Sequence, residues 1–340
     1  MWGWRVPEYG PYREVLAWGD DLPRPAAQPG LPLVRVRAAG LSFGLMLKIA
    51  GKYQVRDPLP FTPGLEVAGE VVEAPPGSRF APGDRVMSMT NHGAYAEYTL
   101  VPERRTYLMP QGMPFSMAGG FLNGYQTAYV GLVRCGRLQA GDTLLVHGAA
   151  GGVGLAAVDI GRTLGATVIA TASSAAKLEA CRGQGAHHGI NLREQDFPEA
   201  VMQLTDGHGA DVILDPVGAD VFDASRKCLA FEGRIVVAGF AGGRIPEIAL
   251  NRLLLRNFGV VGFNLIGYWN ERPDLIDAAQ AQLSAWYEAG QIAPVISRVL
   301  PMRQLIEGIA AVEARESIGK IVMIPDADMA STEAPPAAGG

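Results

Sequence analysis

The stretch Asp142–Lys177 leaves little choice about how the chain around it folds. Thr143-Leu144-Leu145-Val146-His147 is a short apolar run of the kind that forms a buried strand, and it leads straight into Gly148-Ala149-Ala150-Gly151-Gly152-Val153-Gly154. The next residues carry Leu155, Val158, Ile160 and Leu164 without a breaker, which fits a helix packed on a sheet. Thr167–Ala172 then reads as a second strand, so the whole is a βαβ unit. Glycines at 148, 151 and 154 allow a tight turn, bring backbone N–H groups close to a pyrophosphate and seat the helix on the strand. The helix start adds orphan N–H groups and the positive end of its dipole. Together with Gly152 and Val153 these residues predict a dinucleotide site. A glycine turn in an ordinary α/β protein is the plainer alternative, and the strand, helix and second strand on schedule speak against it.

The residues after the second strand select the dinucleotide. An NAD site usually places Asp or Glu about 20 residues past the glycines, accepting from the ribose 2′-OH. Here the chain reads Ala172-Ser173-Ser174-Ala175-Ala176-Lys177. No acid repels a 2′-phosphate, and two hydroxyls and an ammonium can bind one, so NADPH is the expected cofactor. A solvated lysine on the next helix is the plainer reading of Lys177.

Composition narrows the remaining classes. At 340 residues the chain is long enough for two domains, and 48% hydrophobic content supplies a sizeable core. A net charge of −5 without a basic run argues against a nucleic-acid partner. No signal-peptide pattern opens the chain and no run of about 18 apolar residues occurs, so a cytoplasmic protein is expected. Cys135, Cys181 and Cys228 are far apart, and His187 and His188 are adjacent, so no metal-ligand spacing exists.

Along the chain, residues 1–125 read as β-rich: Val34 and Val36 alternate with Arg35 and Arg37, and Gly93–Leu100 alternates as a half-buried strand. Residues 126–265 alternate strands and helices; Gly189–Asn191, Asp211–Asp215, Arg234–Gly239 and Phe258–Phe263 complete six strands, the set for a doubly wound parallel sheet. Within 266–325, Pro273–Gly290 is an amphipathic helix, and a helix near Gln304–Ala314 and the strand Lys320–Ile324 are expected to rejoin the N-terminal domain. Residues 326–340 are small, acidic or proline and predict a loose tail.

A succession of motifs then resembles a known family: Ala39-Gly40-Leu41-Ser42-Phe43, Pro63–Gly69, Gly83-Asp84-Arg85-Val86, Gly93–Tyr98, Thr127-Ala128-Tyr129 and Ala149–Gly154. In this order they resemble the zinc-independent NADPH:quinone oxidoreductase branch of the medium-chain dehydrogenase/reductase superfamily, over nearly the whole chain to Ile324. The resemblance implies an α/β architecture, a GroES-like catalytic domain plus a Rossmann cofactor domain with the active cleft between them. Zinc-dependent relatives carry a Cys just after the Ala-Ala-Gly segment and Gly-His-Glu where this chain has Gly64-Leu65-Glu66. Tyr53 and Ser42 match the substrate side, and Thr127, Phe240, Phe263 and Asn264 the nicotinamide side, with Asn264 counted among the catalytic candidates. Ser173, Ser174, Lys177 and Arg315 match the 2′-phosphate side. Two departures stand out: Ser42-Phe43-Gly44-Leu45 replaces an Asn-x-x-Asp, and Leu192 replaces a tyrosine.

The chemistry this implies is reduction of a quinone or another conjugated carbonyl, with Tyr53 or water as proton donor. An enoyl-thioester or 2-alkenal reductase and a non-enzymatic NADPH-binding protein are the alternatives. The apolar strand Phe258–Phe263, at a sheet edge in the expected order, predicts a homodimer.

Overall fold

The computed structural model describes residues 1–331 and divides the chain into two units, Met1–Asn123 continued from Val295, and Gly124–Pro294. The second unit holds the glycine turn. Its strands are β1 (Thr143–Val146), β2 (Thr167–Ala172), β3 (His188–Asn191), β4 (Ala210–Asp215), β5 (Leu229–Val237) and β6 (Gly259–Gly262). They pair in the order β3-β2-β1-β4-β5-β6, every pairing parallel, which is the Rossmann order. Leu144, Leu145, Val168, Ile169, Ile213, Leu214, Ile235 and Val236 are almost wholly buried, as central strands covered on both faces must be. Because all six strands run the same way, every loop leaving a strand emerges at one edge of the sheet.

In the first unit a seven-stranded sheet runs Ile296–Pro301, Lys320–Ile324, Leu33–Gly40, Glu66–Glu73, Arg85–Met89 and Thr106–Leu108, with Tyr98–Leu100 added to Leu33–Gly40. The alternation of Val34 and Val36 with Arg35 and Arg37 places both valines in the core beside Val67, Val71, Val86, Ile321 and Met323. Among the described residues no helix is long and apolar enough to cross a membrane.

Four expectations are corrected. Residues 266–294 stay in the second unit, where Trp269 Nε1 donates to Gln126 Oε1 (3.1 Å) and Gln126 Nε2 to Gln280 Oε1 (3.0 Å) in a buried chain that fixes helices Leu265–Glu271 and Pro273–Glu288. The domain junctions therefore fall at 123/124 and 294/295 rather than at 125 and 266. Gly93–Leu100 is a strand only over Tyr98–Leu100; Gly93 has φ +105°, which breaks the extended run. Asp326–Ser331, expected in the loose tail, is a 3₁₀ helix anchored by the ion pairs Arg303–Asp326 (3.1 Å) and Arg37–Asp328 (3.1 Å). The remainder of that expected tail, 332–340, lies outside the described residues.

Candidate active site

The glycines of the second unit do three different jobs. Gly148 has φ +56°, the left-handed turn that L side chains avoid, and its neighbours Val217 and Pro216 stand at ordinary contact distance. Gly154 has no space: an added Cβ would lie 2.3 Å from Gly148 O and 2.6 Å from Ala149 Cα. Gly151, extended at φ −79° and ψ 173°, has open space before it, since a Cβ there would meet only Gly148 O at 3.3 Å. Helix Gly152–Thr163 starts with no side-chain cap and no acid in its first turn. Its first hydrogen bond is Leu155 N–H to Gly151 O (2.8 Å), which leaves the N–H groups of Gly152, Val153 and Gly154 ahead of the ladder. An open front and a bare helix start with no acid in its first turn fit a pyrophosphate.

Beneath the turn sits a histidine that no spacing argument singled out. His147 is fully buried between Thr171 Oγ1 (3.0 Å) and Ser225 Oγ (2.8 Å), and burial pushes its pKa down to about 3, so the ring stays neutral. At the end of β4, Asp215 Oδ1 accepts from the N–H groups of Val217 (2.8 Å) and Gly218 (2.9 Å), which shapes the loop facing Gly148; burial raises its pKa.

After β2, Ser173, Ser174 and Lys177 lie together, partly exposed, at the start of helix Ala175–Gly183. Ser174 Oγ accepts from Lys177 N–H (3.4 Å), so that oxygen is engaged as the helix N-cap, a role that its place before an alanine-rich helix signals. The first turn carries no acid. Phe240 follows β5 and is 41% exposed, with its ring edge 3.0 Å from where a Cβ on Gly218 would stand. Phe263 follows β6 and packs on Gly131, in the π-helical turn Val130–Cys135. Asn264, proposed from sequence as catalytic, spends its Oδ1 capping helix Leu265–Glu271 through Ile266 N–H (3.0 Å). Thr127 is partly exposed on Leu122–Tyr129, a helix whose Gly124 comes so close to Gly152 that a Cβ would be 3.0 Å from Gly152 O.

The first unit holds Ser42, Tyr53 and Arg315. Ser42 O accepts from Leu45 N–H (3.1 Å) at the start of helix Gly44–Ile49, and Leu45 is buried. The Tyr53 ring lies against that start, with Cε2 3.1 Å from the Cβ position of Gly44; burial raises its pKa, so its hydroxyl keeps its proton at neutral pH. Arg315 has φ +57° just after helix Leu305–Glu313, in the first unit, while Ser173 and Lys177 belong to the second. Glu66 is buried: Oε1 accepts from Asn123 N–H (2.9 Å) and Oε2 from Lys320 Nζ (2.7 Å), which also donates to Leu41 O (3.0 Å).

The family described as "Alcohol dehydrogenase GroES-like domain" matches residues 28–111, and "Zinc-binding dehydrogenase" matches 152–281. The "Quinone oxidoreductase-like protein 2 homolog" of Nematostella vectensis is 36% identical over 85% of this chain and 80% of its own length. The Escherichia coli quinone oxidoreductase complexed with NADPH superimposes with a TM-score of 0.87 at 28% identity, covering 96% of this chain and 100% of that one. The Thermus thermophilus quinone oxidoreductase, described with its NADPH complex, gives 0.81 at 32%, covering 95% and 100%. The chain belongs to the medium-chain dehydrogenase/reductase superfamily, among its quinone oxidoreductase-like members.

Proposed function

We propose that this protein is an NADPH-dependent, zinc-independent oxidoreductase acting on quinones or other conjugated carbonyls. The observation that carries the reading is the pairing of an open-fronted glycine turn at Gly151 with an acid-free loop of Ser173, Ser174 and Lys177. Relatives whose solved complexes hold NADPH support it. Bound NADPH supplies hydride to an electrophilic carbon, and the protein supplies geometry and charge. Gly148 and the N–H groups of Gly152, Val153 and Gly154 hold the pyrophosphate. Ser173 and Lys177 hold the 2′-phosphate, while Ser174 fixes the loop and keeps its O–H to donate. Thr127, Phe240 and Phe263 shape the nicotinamide side; Asn264 contributes its NH₂ there. Ser42 and Tyr53 face substrate, with Tyr53 donating the proton that completes reduction. Zinc independence rests on Ser42 and Leu65, which bring no metal-binding imidazole or thiolate, and on Glu66, which is already held by Lys320 and Asn123.

The test is initial rates with 1,4-benzoquinone, a simple enone and an enoyl-thioester, with EDTA throughout, alongside calorimetry with NADPH and NADH. NADPH should bind more tightly than NADH and be oxidised in EDTA. Lys177→Ala removes a charge-assisted contact worth ~1.5–3 kcal/mol, so NADPH affinity should fall about 10- to 150-fold while NADH affinity stays unchanged. Equal binding of the two cofactors would sink the cofactor assignment, and loss of all rate in EDTA would reveal a metal. Preference for the thioester would make the protein an enoyl reductase. Tight NADPH binding without turnover of any acceptor would leave a binding protein.

The assembly belongs to the same reading. Strand β6 is the open edge of its sheet, and helix Leu250–Arg256 before it buries no residue: Leu250, Leu254 and Leu255 are 77%, 76% and 69% exposed. Leucines so exposed beside an unpaired edge suit a second copy of the chain, which makes the protein a homodimer. Light scattering at micromolar concentration should give about twice 36.0 kDa, and Leu250→Asp with Leu254→Asp should return the single-chain mass. A single-chain mass for the unmodified protein contradicts the dimer.

A further inference from the structure

Helix Gly44–Ile49 ends in a charge that its surroundings should exclude. Lys48 and Asp57 form a buried ion pair, Nζ to Oδ2 2.6 Å, with side chains 2% and 4% exposed. Asp57 Oδ2 takes no aligned hydrogen bond, so charge and proximity alone hold the contact. Burying two charges is expensive, and an apolar pair would stabilise such a site as well or better; what an ion pair adds is a specified position. The loop from Gly51 to Pro60 is already tied elsewhere: Lys52 N–H donates to Leu47 O (2.8 Å), Arg56 Nε to Gly51 O (2.9 Å) and the Tyr9 hydroxyl to Asp57 O. None of these ties touches Tyr53. The Lys48 ammonium does, 5.7 Å from the ring centre and within cation–π reach, while Gly44 gives the ring room against the helix start. His92 feels both charges; burial and Lys48 hold its pKa below the usual value against Asp57, so at neutral pH it adds no third charge.

We propose that Lys48, fixed by Asp57, is a positioning residue that holds the Tyr53 ring and thereby aims its hydroxyl. The proposal rests on the reading of Tyr53 as proton donor. Neither charge appeared among the residues singled out from sequence, because Lys48 and Asp57 stand nine positions apart, one on a helix and one in a loop, with no spacing that marks them.

The experiment is a double-mutant cycle read by kcat, with NADPH affinity as control. Lys48→Met with Asp57→Asn neutralises the pair without stranding a charge, and Lys48→Arg keeps the cation. Tyr53→Phe should lower kcat by roughly tenfold or less, because water can replace the hydroxyl. Neutralising the pair should lower kcat by about the same factor in the Tyr53 enzyme and not at all in the Tyr53→Phe enzyme; Lys48→Arg should retain most of the rate. Equal losses in both backgrounds, or no loss in either, overturn the proposal. A second readout does not depend on turnover: in protein labelled at tyrosine 13Cζ, the resonance that vanishes in Tyr53→Phe should shift or broaden when the pair is neutralised. An unchanged signal also overturns it. Absence of turnover on every acceptor defeats the functional reading alone, and the resonance still decides the position of the ring.

Discussion

Gly151→Val is expected to yield a folded protein that no longer binds NADPH, whereas Gly154→Val is expected to lose the fold of the second unit. The difference lies in what each side chain would meet. At Gly151 the backbone is extended, and the new Cβ has one neighbour, Gly148 O at 3.3 Å, so valine would project into the space proposed for the pyrophosphate. At Gly154 the obstacles are backbone atoms at 2.3 and 2.6 Å, which cannot swing away as a side chain can. Overpacking against side chains costs about 1–3 kcal/mol, and here about 3 kcal/mol or more is expected. Thermal unfolding and NADPH calorimetry on both variants decide the matter. Gly151→Val binding NADPH within tenfold of the unmodified protein would remove this turn from the cofactor site, and a Gly154→Val protein as stable as its parent would refute the close packing.

Lys320→Met should destabilise the first unit by about 3–5 kcal/mol, because it leaves the Glu66 carboxylate buried with a single N–H donor, that of Asn123. Adding Glu66→Gln should recover most of that loss: the amide oxygen still accepts from Asn123, and no charge remains. Neutralising the carboxylate also removes a charge that, after burial itself, keeps the Tyr95 hydroxyl protonated well above its ordinary pKa while it donates to Gly40 O (2.8 Å). Urea unfolding of the two single variants and the double gives the coupling. Additive losses would mean that the pair does not act as a unit.

Much of this was legible in the residues, and what was not has identifiable causes. The βαβ unit was readable because its glycines, apolar runs and spacing all report one local geometry, and the structure keeps the strand order that such units build. The loop after β2 was readable as an acid-free run, but the engagement of Ser174 as a cap depends on where the helix begins. Asn264 shows the same limit: that its Oδ1 caps a helix start depends on where Ile266 N–H lies, which no spacing marks. Helix Leu250–Arg256 escaped notice because three of its four leucines, Leu250, Leu254 and Leu255, are exposed and only Leu253 packs on the core, which gives no core-facing period. The second unit's extent to Pro294 depends on Gln126, Trp269 and Gln280 meeting across 154 positions of chain, a contact without a local signature.

The division of the chain also sets a timetable for synthesis. Among the described residues the second unit is one continuous run, Gly124–Pro294, and all six of its strands have been made before the first unit can be finished. The first unit waits for Lys320–Ile324, which pairs with Leu33–Gly40 and brings the ammonium that Glu66 needs, 254 residues after the acid itself. A ribosome adding about 5–20 residues per second therefore leaves Glu66 without its counter-charge for roughly 10–50 seconds. During that interval the nascent segment Met1–Asn123 lacks both a strand of its finished sheet and the partner of its buried acid.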